Sequence, residues 1–244
     1  MAGTWIMVKR EFRSYFLSPI AYVIGALFLA IGGFQFFRLI FIEAGNSAEA
    51  RMVLYFNFLP SAFLILAPAL TMRQWAEERK LGTMELLLTF PVQTLPLILG
   101  KFMAGILFIC VLLGLTLPYA FTLASLGNLD WGPVVGGYLG AILLACAYLS
   151  FGLFASSITR DQIIALIISV VFLAILYALG TSQLMRIFFG PELVGFFTAV
   201  SPITHFASIA RGVLDLSDLI YYVLFCGFFL FANSVVIEIK KWMG

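Results

Sequence analysis

Six stretches without a formal charge in their middles set what this chain can fold into: about 20–42, 53–72, 95–124, 132–155, 162–180 and 218–239. A hydrocarbon core about 30 Å thick takes about 20 apolar residues to cross as a helix. Lipid offers nothing to backbone N–H and C=O groups, so a spanning segment pairs its own groups as a helix or closes with others into a barrel. Barrel strands are short and alternate apolar with polar residues, whereas these runs are apolar throughout. Charged residues make up 11% of the chain and hydrophobic residues 63%, against about 25% charged in a soluble domain. The reading is an all-α integral membrane protein, one domain over residues 1–244 with six transmembrane helices.

The first run extends from Ile20 to Ile42, longer than the roughly 7–15 residue core of a signal peptide, so it reads as an uncleaved span. Orientation follows from Lys and Arg in the loops. With both termini on one side, that side holds ten of the 14 cations and the other four, while the acidic residues divide six and six. Both termini are therefore expected to be cytoplasmic. Cys110, Cys146 and Cys226 all fall inside spans, where they serve as small packing residues.

Two flanking segments stand out. Over residues 4–17, Trp5, Val8, Phe12, Tyr15 and Phe16 recur at helical spacing beside Lys9, Arg10 and Arg13. This pattern predicts an interfacial helix with its aromatics in the acyl boundary and its cations at lipid phosphates, ending at the break Ser18-Pro19. Residues 181–217 are too apolar for a solvated loop and are cut by Gly190-Pro191, Ser201-Pro202 and Gly212. They predict two or three short re-entrant or interfacial helices on the external side.

No catalytic constellation is present in the sequence. There is no G-x-x-x-x-G-K-[ST] phosphate loop, so the chain is not expected to hold ATP itself. His205, the only histidine, has no carboxylate or Cys neighbour at ligand spacing, and a surface or packing role is expected. Span centres lack Asp, Glu, Lys, Arg and His, the groups that build ion relays. Lys101, near the start of the third span, is expected to snorkel outward. Asn57, Gln162 and Asn233 are expected to make interhelical hydrogen bonds.

The connection over residues 73–94 concentrates charge of both signs. Thr83 suits an N-cap for a short helix over 83–90, Glu85 suits its positive end, and Pro91 helps to stop it. Met84, Leu87 and Leu88 would share a face. Such a helix fits a partner's groove or the surface of the bilayer, and the residues alone do not choose between them.

The run Glu78-Arg79-Lys80-Leu81-Gly82-Thr83-Met84-Glu85-Leu86-Leu87, followed by Pro91, resembles the loop after the second span in permease subunits of type-2 ABC transporters, approximately E-R-x-x-G-T-x-E-x-L and a proline. The interfacial helix, six spans and broken external segment are similar to that family over the whole chain. Ser201-Pro202-Ile203-Thr204-His205-Phe206 and the run from Arg211 to Tyr221 resemble the permease associated with bacterial gliding motility.

The resemblance implies a non-catalytic subunit in a bacterial inner membrane. A separate dimer of cytoplasmic ATPase subunits would carry ATP and Mg, leaving no cofactor on this chain. A second permease copy or a paralogue would complete the path, with a periplasmic or membrane accessory subunit as a further partner and no nucleic acid. It also implies that Glu78, Arg79, Gly82, Thr83, Met84, Glu85 and Leu87 couple this chain to the ATPase. An exporter is the leading expectation. A mechanotransmitting or envelope-assembly complex that moves no cargo is the second, and a stand-alone secondary carrier the third.

Overall fold

The computed structural model describes residues 2–38, 52–82, 94–127, 129–180 and 191–243, and every regular element among them is a helix. In chain order these are α1 (Ala2–Leu17), α2 (Pro19–Phe37), α3 (Met52–Phe56), α4 (Leu59–Lys80), α5 (Thr94–Gly114), α6 (Leu117–Leu126), α7 (Trp131–Ile158), α8 (Gln162–Gly180), α9 (Pro191–Val200), α10 (Pro202–Ile209) and α11 (Leu216–Met243). Six membrane-length apolar segments result: α2, α3 with α4, α5 with α6, α7, α8 and α11. The chain is an all-α, multi-pass membrane protein.

Local chemistry explains the breaks. Pro19 opens α2 just after Ser18, and Pro118 sits in the first turn of α6; proline fits there because first-turn N–H groups have no intrahelical acceptor. Pro118 interrupts what the sequence presents as one continuous third span, and Thr116 caps the preceding turn by donating to the Leu113 carbonyl at 2.7 Å. The second span differs more. Its helix runs on to Lys80, so Arg73, Gln74, Trp75, Glu77, Glu78 and Arg79, expected in a connecting loop, are two further turns of α4.

The centre of the bundle is α7. Burial reaches 72% along its span but only 22% along α8 and α11, whose outer faces present side chains such as Ile163, Val171, Phe228 and Phe231. Small residues let α7 occupy the middle, since helices in lipid associate through close van der Waals packing rather than through water exclusion. Gly132, Gly136 and Gly140 recur at four-residue spacing on α7. A methyl group at Gly136 would collide with the Ile209 carbonyl oxygen and lie 3.0 Å from the Cα of Gly212. Gly212 itself has φ +87°, a conformation that glycine adopts without steric cost. Further along, Phe151 of α7 stacks on Phe172 of α8 at 3.9 Å and meets the edge of Phe229 of α11 at 5.0 Å.

The N-terminal helix α1 packs part of its apolar face on the bundle. Val8 and Tyr15 are buried, α1 crosses α5 at Met7 and Gly100, and the Tyr15 ring stacks on Phe108 at 5.2 Å. Val8 and Tyr15 of the apolar stripe thus face protein, because α5 offers them a glycine notch and an aromatic ring. Trp5, Ile6 and Leu17 remain exposed.

At the opposite end, α9 and α10 lie between α8 and α11. Ser201 donates to the Leu176 carbonyl at 2.6 Å, and Tyr222 donates to the Pro202 carbonyl at 2.7 Å. Residues 181–190 of the predicted external segment lie outside the described residues. His205 has the carboxylate partner that its sequence neighbours lack: Nδ1 is 2.6 Å from Asp218 Oδ1, and Tyr221 stacks on the ring at 4.0 Å. Asp218 is 13 residues away on α11, a separation that only the tertiary fold closes. Asn233 also departs from expectation. It is fully buried, and neither atom of its amide has a hydrogen-bond partner among the described residues.

Candidate functional site

The end of the bundle that carries both chain termini concentrates the buried charge. Gln74, Trp75 and Glu78 share one face of the extended α4, since residues three and four apart align on a helix. That face meets α1 and α5 around Lys101, whose side chain is 1% exposed. Lys101 Nζ lies 2.7 Å from Glu78 Oε1, 3.3 Å from Gln74 Oε1 and 3.5 Å from Glu11 Oε1. It also sits 4.9 Å from the centroid of the Trp75 ring, within cation–π range. The outward snorkelling expected of Lys101 does not occur, because two carboxylates one helix away compensate its charge where it stands.

A buried ammonium is tolerated only when paired and hydrogen-bonded, and this one draws its partners from two other helices, α1 and α4. Arg10 closes the outer rim, 3.5 Å from Glu11 and 3.9 Å from Glu78. The Gln74 amide is fixed at both ends: its Oε1 accepts from Lys101, and its Nε2 donates to Tyr15 Oη at 2.6 Å. Burial pushes the Tyr15 phenol up, so it stays a neutral hydroxyl.

Next to this cluster, α4 is pinned to α7. Arg79 Nη1 donates to the carbonyls of Ser157, Ile158 and Thr159 at 3.2, 3.0 and 2.9 Å. These are the final carbonyls of α7, which lack intrahelical donors and form the negative end of its dipole. Lys240 of α11 donates to the same Ser157 carbonyl. Ser156 accepts from the backbone N–H groups of Trp75 and Ala76 at 3.1 and 3.2 Å and donates to the Met72 carbonyl at 3.0 Å.

The helix then stops at Gly82. Its φ of +69° is the left-handed conformation that ends many helices and favours glycine, and its N–H donates to the Arg79 carbonyl at 3.2 Å. Both stems of the following connection are therefore braced, α4 through Glu78 and Arg79, and α5 through Lys101. Of the predicted coupling residues, Glu78, Arg79 and Gly82 sit at this brace. Thr83, Met84, Glu85 and Leu87, with the whole predicted helix over 83–90, lie outside the described residues.

The model of the ABC-2 family transporter protein matches residues 5–237. The chain belongs to the ABC-2 transporter family. No curated protein matches it. Membership makes the chain a membrane subunit of an ABC transporter and implies partnership with a cytoplasmic ABC ATPase, the component that carries the nucleotide chemistry.

Several site residues of this ABC-2 permease escaped sequence reading. Glu11 falls at helical spacing between Val8 and Tyr15, on the buried stripe of α1, and this placement is the signal that it faces protein. Lys101 follows an unbroken apolar run, and only the presence of two acids on other helices distinguishes burial from snorkelling. The glycines at 132, 136 and 140 carry a small-xxx-small pattern that marks close helix approach.

Proposed function

We propose that this chain is the membrane half of an ATP-driven exporter of the bacterial inner membrane, with both termini cytoplasmic and a second permease, identical or paralogous, completing the path. Residues 83–90 form a coupling element that docks into a separate ATPase dimer. One observation carries this reading. The α4 stem is fixed to α5 and α7 through Glu78–Lys101 and the Arg79 clamp, and Glu11–Lys101 ties the α5 stem to α1, so a push on the connection spreads through the bundle at once. A loop held by fraying helix ends would absorb the push instead. Gly82 terminates α4 where the connection begins, and Thr83, Met84, Glu85 and Leu87 supply the surface the ATPase grips.

The ion-free span centres favour an amphipathic, lipid-linked or polymeric cargo over a small cation. A gliding-motility-like complex that transmits force without cargo is the second reading. It draws on the resemblance of residues 201–206 and 211–221 and on the lashing of α9 and α10 to α11 by Tyr221, Tyr222 and His205, which gives an external partner something rigid to pull. Stimulation of the ATPase by cargo in liposomes supports export; stimulation only by an external protein supports force transmission.

The test of coupling is Leu87→Asp. A carboxylate in an apolar docking groove loses its hydration without a partner, so partner ATPase stimulation and transport are expected to vanish while the purified chain keeps its thermal stability. Undiminished stimulation by the variant overturns the assignment.

A further inference from the structure

A cleft of about 230 Å³ opens between α1, the first turns of α2 and the last turns of α4. Its polar part is lined by three cations, Arg10, Arg73 and Lys101, and three carboxylates, Glu11, Glu77 and Glu78. Its other wall is apolar, formed by Ile20, Ala21 and Ile24 of α2 and by Ala69 and Leu70 of α4. These are residues on segments long and apolar enough to cross the bilayer, at the end of each segment where the charged cluster begins. With those segments set in a bilayer, the cleft would straddle the boundary between acyl chains and headgroups.

We infer that this cleft binds one zwitterionic phospholipid bearing a primary ammonium, of the phosphatidylethanolamine type, with its phosphate at Arg10 and Arg73 and its ammonium at Glu77. Charge balance selects the zwitterion: the six ionisable groups sum to zero, so the lining has no net preference for an anionic or a cationic amphiphile. Donor capacity selects the phosphate position. Arg73 spends three of its N–H groups on Glu77, at 2.8 and 3.2 Å, and on Ser18, at 2.6 Å; a guanidinium has five, so two remain. Arg10 is half exposed and meets its two acids only at 3.5 and 3.9 Å, beyond a short charge-assisted bond. An acyl chain continues along Ile20 and Ile24 without leaving apolar surface. The bound lipid would join α1 to α4 at the base of the coupling connection. The inference shares with the proposed function only the membrane placement and holds whether the complex exports cargo or transmits force.

Native mass spectrometry of the delipidated full chain, titrated with POPE, POPC or POPG, tests it. POPE is expected to bind with one lipid per chain. POPC, whose quaternary ammonium donates no N–H to Glu77, and POPG, which has no cation, are expected to bind about tenfold more weakly, the scale of one charge-assisted hydrogen bond. Ser14 lines the cleft and is exposed, so Ser14→Trp fills it without removing a charge, and POPE affinity should fall at least tenfold. Ser14→Ala should keep it. Equal binding of POPG and POPE would reduce the site to nonspecific attraction to the cations of α1, and undiminished POPE binding by Ser14→Trp would place the lipid elsewhere; either result overturns the inference.

Discussion

Lys101→Ala is expected to cost about 3–5 kcal/mol of stability, the scale for removing one partner of a buried ion pair. The alanine itself is not the main cause. Glu78 and Glu11 would be left facing each other across the space of the missing ammonium, with side-chain exposures of 16% and 9% and Arg10 too far out to serve both. The loss should be sharply non-additive. Adding Glu78→Gln and Glu11→Gln to Lys101→Met removes the charges together with their solvation cost, and the triple variant should recover most of the stability, because residues in one network couple strongly. Thermal unfolding in mild detergent reads both values. A loss below about 1 kcal/mol for Lys101→Ala, the scale of an exposed surface pair, would mean that water reaches the cluster. The same variant should reduce ATPase coupling, since α4 would no longer be tied to α1 and α5.

The second large effect belongs to Gly136. Gly136→Ala is expected to destabilise by about 2–3 kcal/mol, at the upper end of ordinary overpacking, because what its methyl meets is backbone. The Ile209 carbonyl and the Cα of Gly212 cannot rotate aside as a side chain would, so α10 must lift away from α7 and strain its bonds to α8 and α11. Gly227→Ala is the control. Gly227 lies inside α11 with nothing within 4 Å of an added Cβ, so alanine there should be neutral or stabilise by about 0.5–1 kcal/mol through reduced backbone entropy. Equal melting temperatures for the two variants would show that α10 does not sit against α7.

These two sites mark where sequence reading succeeds and where it stops. The number of spans and the all-helical class follow from the cost of unpaired backbone in lipid, which depends on composition and length alone. The helix break at Ser18-Pro19 follows from proline geometry in the same way. Residue contacts between distant segments do not. Lys101 reads identically in sequence whether it reaches for headgroups or for Glu78, and His205 gives no sign of Asp218 until α10 folds against α11. Helix α4 runs past the apolar stretch for a related reason: charge suggests a loop from residue 73, yet Glu78 and Arg79 find partners on α5 and α7, so the helix continues to Lys80. Asn233 runs the other way, a polar residue expected to bond across helices that is buried without a partner among the described residues.

On the proposed function, the segment after Gly82 is held by a nucleotide-hydrolysing subunit. A photo-crosslinker on Cys at position 84, introduced as Met84→Cys after replacing the three native cysteines, tests it in intact membranes. An adduct with a soluble ATPase subunit is expected, with a yield that changes when ATP hydrolysis is blocked. Adducts with phospholipid alone, at every nucleotide state, would rule out the coupling role.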